Sequence, residues 1–302
     1  MSTIRLSHLT KRYGPVLAVD DLSFEAGPGR VTAFLGPNGS GKTSTLRILL
    51  GLAAPTAGTA TIDGLPYHQL PNPVRRVGAA LDSGTFHPGR SAAQHLRVIT
   101  TATGLPRHRV DEVLALTGLS DVAGRAVGRF SLGMRQRLSL AAAMLGDPGV
   151  LVFDEPLNGL DPDGIRWLRG LLRSLAGEGR TVFLSSHLLT EVAQTVDDVI
   201  VLSRGRLVTQ TTLADLVART SVVRVRTPEA ARLLDVLVTA GLRVRLVDAS
   251  TAEVRSATAD AVGVAAAAAG VTILELSRHD EDLESLFFEL VGQNPQNQEV
   301  AA

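Results

Sequence analysis

One run of residues limits what this chain can fold into more than any other feature. Gly36-Pro37-Asn38-Gly39-Ser40-Gly41-Lys42-Thr43 follows the almost wholly apolar stretch Val31 to Leu35 and leads into the helical stretch Thr43 to Leu50, which Gly51 stops. A short apolar strand of this kind suits the centre of a parallel sheet covered on both faces. The glycines let successive backbone N–H groups converge on one point, and the following helix adds positive potential at its N-terminus. Such a turn is a cradle for phosphate oxygens. Lys42 is placed to reach the β- and γ-phosphates of a nucleotide, and Thr43 to offer its hydroxyl to Mg²⁺. Only Lys11 and Lys42 of the 30 Lys and Arg residues are lysines, which makes the position of Lys42 the more informative. The candidate nucleotide contacts are Gly36, Pro37, Asn38, Gly39, Ser40, Gly41, Lys42, Thr43 and Ser44.

The rest of the chain supplies an α/β frame around that turn. Ile4 to Leu6 and Ala18 to Phe24 read as strands, Thr59 to Ile62 as a peripheral strand, and Val77 to Leu81 as another apolar run. From Ser91 the period turns helical. Ser91 and Gln94 have capping-box spacing, Val110 to Leu116 is a second helix stopped by Gly118, and Ser131 to Leu145 is a third. This block, about 88–146, is an insertion. The frame then resumes with a strand at Val150 to Phe153 and a helix from Asp161-Pro162 to Leu175. A strand at Val182 to Leu184, a helix over His187 to Thr195 and a strand at Val199 to Leu202 follow. Thr212 and Asp215 cap a last helix of this part. Beyond residue 220 the order is strand Val222 to Val225, helix Pro228 to Ala240, strands Leu242 to Val247 and Ala252 to Arg255, helix Ala257 to Ala269 and strand Val271 to Leu276. That βαββαβ order is the split, ferredoxin-like arrangement. An amphipathic helix, Leu283 to Val291, comes next, and the polar tail 293–302 is expected to be disordered. The expected domains are therefore 1–220 and 221–292.

Two further groups can carry chemistry. Val150 to Phe153 ends in Asp154-Glu155, so a buried strand delivers two carboxylates rigidly at its C-terminal edge. Beside bound phosphates, Asp154 would hold Mg²⁺ through water and Glu155 would polarise an attacking water. Phe130-Ser131-Leu132-Gly133-Met134 opens the third inserted helix, with Ser131 at its N-cap and Gly133 in the first turn, a second phosphate-facing surface.

Composition excludes several classes. Asp and Glu also number 30, so the formal net charge is zero, which disfavours a domain built mainly to grip nucleic acid. With no cysteine there are no disulfides, zinc–thiolate sites or cysteine nucleophiles. Ala261 to Leu274 is too short and too rich in Ala and Gly to span a bilayer. Met1 to Lys11 has no apolar h-region, so no secretory signal is expected there.

Over residues 1 to about 218 the motifs occur in an order that resembles the nucleotide-binding subunit of an ATP-binding cassette (ABC) transporter. The resemblance implies a P-loop core sheet with an inserted helical subdomain. It makes Gly36 to Thr43 the Walker A loop, Asp154 and Glu155 the Walker B and catalytic acidic residues, and Ser131 to Met134 the family signature. Tyr13 resembles the aromatic that stacks on adenine, Asn158 to Asp161 the D-loop, and His187 the switch histidine at the γ-phosphate. It also implies ATP and Mg²⁺ as ligands, a head-to-tail homodimer sandwiching two ATPs, a separate integral membrane permease as partner, and a peripheral place for this subunit at the cytoplasmic face of the cell membrane.

This sequence departs from the family pattern twice. The signature, usually LSGGQ, reads Phe130-Ser131-Leu132-Gly133-Met134, a form similar to that of exporters linked to antibiotic and drug resistance. Asp82 stands where the family places a glutamine that touches Mg²⁺ and relays to the permease. The ending Leu283 to Leu290 also resembles that exporter subfamily. The alternative is an ABC ATPase acting on ribosomes or DNA. Against it stand the single cassette, the short insertion without heptads and the zero net charge.

Overall fold

The computed structural model describes residues 2–81, 86–255, 257–280 and 283–292. It divides into two compact units, Met1–Gln210 and Thr211–Ala302.

The first unit begins with a long hairpin, β1 (Ile4–Tyr13) and β2 (Val16–Ala26), and enters the core through β3 (Arg30–Leu35). After the glycine turn come α1 (Lys42–Leu49), β4 (Ala57–Ile62), the single turn α2 (Pro73–Arg76) and β5 (Val77–Ala80). The helical insertion is α3 (Ala92–Thr103), α4 (Arg109–Leu116) and α5 (Leu132–Met144). Ser91 and Gln94 close the reciprocal cap on α3. The frame continues with β6 (Val150–Phe153), α6 (Pro162–Gly177), β7 (Thr181–Ser186), α7 (Leu189–Val192), β8 (Asp198–Ser203) and β9 (Arg206–Thr212).

These strands build two sheets, a three-stranded one ordered β2-β1-β4 and a six-stranded one ordered β5-β6-β7-β3-β8-β9. β3, β5, β6, β7 and β8 pair in parallel, and β6 and β7 are buried along their whole length. Phe24 of β2, Phe34 of β3 and Phe183 of β7 pack with centroids 5.4–5.6 Å apart, Phe183 stacked on both others, and join the two sheets. Register then fixes the site. Leu35 lies opposite Ser186, and Phe153 opposite Leu184, so the turns after β3, β6 and β7 open side by side at one sheet edge. In doubly wound sheets ligands bind at that edge.

α7 is much shorter than the helix expected over His187 to Thr195. The Ser186 hydroxyl accepts from Leu188 N at 3.1 Å, and Leu188 keeps an extended backbone. That local bond competes with helix formation and leaves His187 on a free turn at the end of β7.

The second unit contains α8 (Leu213–Thr220), β10 (Ser221–Arg226), α9 (Ala230–Thr239), β11 (Arg243–Leu246), β12 (Thr251–Arg255), α10 (Ala259–Ala268), β13 (Glu275–Asp280) and α11 (Leu283–Leu290). Its division from the first unit precedes residue 220 because α8 packs against β10 and α11. Thr212 and Asp215 form its cap. The sheet order is β11-β12-β10-β13, antiparallel throughout. Val223, Val225, Leu233, Leu237, Val254 and Val262 form its core. β13 lies further along the chain than the apolar run Val271 to Leu276 suggested. β10 pairs over its full length with Glu275–Asp280, after Leu274 N has bonded Arg226 O at 2.8 Å. Leu286 and Phe287 are the buried positions of α11. The expected tail lies outside the described residues.

Candidate functional site

Glycine geometry shapes the turn after β3. Gly41 has φ +105°, and a methyl there would stand 2.4 Å from Ala18 O; one on Gly36 would meet Ser40 Oγ at 2.5 Å and Leu202 O at 2.6 Å. Side chains are thus excluded where the loop passes closest to β2 and β8. The result is a cavity of about 240 Å³ lined by Asn38 to Ser44, Ala18 and Glu155.

Lys42 is 6% exposed. Its ammonium donates to Gly36 O at 2.6 Å and lies 3.5 Å from Glu155 Oε1. Burial pushes this ammonium below the ordinary lysine value of 10.5, against the opposing pull of Glu155 and Asp154. A buried cation with one imperfect carboxylate partner is a strong acceptor site for a polyanion.

The carboxylates are held as firmly. Thr43 Oγ1 donates to Asp154 Oδ2 at 2.9 Å, Ser185 Oγ donates to Asp154 Oδ1, and Ser185 Oγ accepts Glu155 N at 2.9 Å. Glu155 has φ +50°, a left-handed conformation costly for a non-glycine residue and common at functional turns. It aims the carboxylate at Lys42 on one side and His187 on the other, whose Nδ1 lies 2.9 Å from Oε2. An ionised carboxylate only accepts, so Nδ1 is the donor.

Lys42, Thr43, Asp154, Glu155 and His187 are thus one bonded cluster. Ser185 belongs to it and escaped the reading of the sequence. The available signal was its place on the neighbouring strand, beside the residue that follows Phe153. Gln136 was also missed: buried in α5, it donates to Pro156 O at 3.1 Å and ties the helical insertion to the turn after β6.

Ser131, Gly133 and Asp161 do not join this cluster. They line a second cavity of about 430 Å³ with Leu132, Met134, Arg137, Gly159 and Leu160. Ser131 caps α5 by accepting Met134 N at 3.2 Å, and Asp161 caps α6 by accepting Gly164 N at 2.8 Å. Tyr13, 46% exposed, is at the tip of the β1–β2 hairpin, opposite Val16, with Lys11 Nζ 4.7 Å from the centroid of its ring. Asp82 lies outside the described residues.

A P-loop, two strand-end carboxylates and a histidine at adjacent strand ends define a nucleotide-hydrolysing fold. A family profile described as ABC transporter matches residues 19–158, and one described as a domain of unknown function (DUF8746) matches residues 221–284. The chain is 42% identical over 211 residues to the bacitracin transport ATP-binding protein BcrA of Bacillus licheniformis, across 68% of this chain and 69% of that protein. It is 33% identical to the lantibiotic transport ATP-binding protein SrtF of Streptococcus pyogenes, across 68% and 89%. It is 38% identical to the Nod factor export ATP-binding protein I of Ralstonia nicotianae, across 67% and 64%. A solved ATP-binding subunit of an ABC transporter superposes with a TM-score of 0.64 at 27% identity, covering 70% of this chain and 91% of that one. The chain belongs to the ABC transporter ATP-binding family. It is an ATPase subunit of a transport system, and relatives named for transport and export set aside the ribosome and DNA alternative.

Proposed function

We propose that this subunit hydrolyses ATP as one half of a head-to-tail dimer and so drives export through a separate membrane permease, from the cytoplasmic face. The observation that carries the reading is the separation of two half-sites. The cavity over Lys42 and Glu155 and the cavity over Ser131 and Gly133 share no lining residue. Each is completed when a second copy presents its signature turn to the first copy's phosphates. Among the described residues no helix is long and apolar enough to cross a membrane, and relatives named as transport ATP-binding proteins support a separate permease. The cargo in this reading is a drug, antibiotic or lipid-like molecule, a reading supported by relatives named for bacitracin and lantibiotic transport.

In this reading the backbone N–H groups of Gly39 to Thr43 hold the β-phosphate, and the Lys42 ammonium turns from Gly36 O to bridge the β- and γ-phosphates. Glu155 accepts a hydrogen bond from the attacking water and holds it in line with the γ-phosphorus. His187 fixes the Glu155 carboxylate on one side and meets the γ-phosphate on the other. Tyr13 stacks on adenine. Ser131 and Gly133 cover the partner's γ-phosphate with a hydroxyl and backbone N–H groups, and the Asp161 turn lies beside them.

The donor set also fits a hard divalent cation. Thr43 Oγ1 and Asp154 Oδ2, both oxygens, lie 2.9 Å apart beside the phosphate cradle. Bound there, Mg²⁺ would offset charge on the β- and γ-oxygens. We extend the same role to Asp82.

Glu155→Gln keeps the shape and removes the negative charge. Its turnover is expected to fall by about 10²-fold or more, with ATP binding retained in an equilibrium titration. Parent turnover would overturn the assignment.

A further inference from the structure

Leu132, which stands where the family signature usually has glycine, packs onto the turn that follows Glu155. A methyl built on Gly159 would come within 2.2 Å of Leu132 Cδ2 and 2.7 Å of its Cγ, so the leucine side chain fills the space that glycine leaves. The contact is reciprocal. A methyl on Gly133 would be 3.6 Å from Leu160 Cδ2, and Leu160 also lies against Gly164 at the start of α6. Each turn thus offers a leucine to the other's glycine. Gly159 has φ +76°, which places its backbone where the Leu132 side chain can lie across it. Below this pair, the buried Gln136–Pro156 bond makes a second tie between α5 and the same turn.

The burial is uneven in an informative way. Leu132 is 52% exposed although it touches Gly159, so it is not there to fill the core. It spans a surface cleft between the helix start that carries Ser131 and the loop that carries Glu155. Packed contacts of this kind transmit displacement, because close-packed groups repack in steps instead of stretching.

We propose that Leu132 is a positioning residue that couples the two ATP sites of the dimer. Ser131 and Gly133 serve the partner's phosphate, whereas Glu155 serves the chain's own. Leu132 on Gly159 joins them: engagement of the signature turn at one site sets the Asp154–Gly159 turn, and with it Glu155, at the other. The inference rests on the dimer reading above.

The test measures ATP turnover against ATP concentration for the full-length parent, Leu132→Ala and Leu132→Met. Alanine keeps the helix start and removes the atoms that cover Gly159; methionine restores cover. The parent is expected to show a Hill coefficient well above 1. Leu132→Ala should bring it towards 1 and lower kcat by roughly tenfold or more, the scale of a misplaced group, with KM within about twofold. Leu132→Met should recover both. A double-mutant cycle with Gly159→Ala separates coupling from strain, because the strain of a left-handed alanine is common to both backgrounds. Gly159→Ala should cost markedly less in the Leu132→Ala chain than in the parent.

Additive losses, a parent Hill coefficient of 1, or Leu132→Ala kinetics equal to the parent's would each overturn the coupling. Sedimentation of a Glu155→Gln chain in ATP tells the two failures apart: a dimer with unchanged Leu132→Ala kinetics removes the coupling alone, and a monomer removes the dimer reading with it.

Discussion

The cradle around Lys42 and the turn around Ser131 both present backbone donors at a helix start, yet they are built differently. In the cradle the lysine is buried, and the carboxylates are bonded to Thr43, Ser185 and His187. At the Ser131 turn the hydroxyl accepts from its own helix start and keeps its O–H to donate, and Leu132 beside it is exposed. A site that must hold a polyanion unaided needs buried charge and a fixed frame. A surface that only closes over a ligand already held elsewhere needs shape and donors, and it must stay open until then. The difference between the two cavities fits the shared, two-chain site proposed above.

Breaking the half around Lys42 should therefore have the largest effect. Lys42→Ala removes the buried cation, and steady-state ATPase assays should show turnover falling by about 10²-fold or more, with weakened nucleotide binding. Equal turnover would mean that the cavity is not the reaction site. Ser185→Ala removes one bond to Asp154 and one to Glu155 N, without touching the nucleotide. We expect roughly a tenfold loss in kcat, on the scale of about 1.4 kcal/mol in the barrier, with ATP affinity little changed; an affinity loss alone would place Ser185 outside the acidic frame.

Alkaline titration sharpens the comparison. The Lys42 pKa is lowered by burial, so the folded protein gives up this proton at a lower pH than the unfolded chain. Stability from this group is diminished at neutral pH by the buried charge, and it rises with pH between the folded value and 10.5. Phosphate binding runs the other way. It needs the ammonium, so affinity for ATP should fall as pH climbs through that window, and Lys42→Ala should lose the dependence. An unchanged pH profile in the variant would assign the titration to another group.

The smallest effect belongs to the half around Ser131. Ser131→Ala deletes an N-cap and should cost about 1 kcal/mol of stability by denaturant melting, without changing nucleotide binding to one chain. A loss of binding comparable to that of Lys42→Ala would erase the distinction between the two cavities.

How much of this was legible varies with the kind of constraint. The phosphate turn and the two carboxylates were readable because glycine, lysine and acidic residues stand at fixed offsets from short apolar strands. The helical insertion was readable from its period and from the Ser91–Gln94 cap. Ser185 was not, because its role comes from lying on the strand beside Asp154, and strand adjacency in a parallel sheet is non-local. Glu155's left-handed backbone leaves no trace in residue type. His187 was recognised, but its surrounding helix was drawn too long, since the Ser186 side chain competes with the helix for Leu188 N. In the second unit the run Val222 to Val225 was readable as a strand, whereas β13 was displaced along the chain because its partner's length, and not its own apolar run, sets the pairing.

The most direct test of the shared site is sedimentation velocity of the Glu155→Gln chain with and without ATP and Mg²⁺, alone and combined with Ser131→Arg. The account predicts a monomer without nucleotide, a stable dimer with it, and a nucleotide-bound monomer once Ser131→Arg blocks the signature turn. A Glu155→Gln chain that stays monomeric in saturating ATP, or a Ser131→Arg chain that still dimerises, would contradict it.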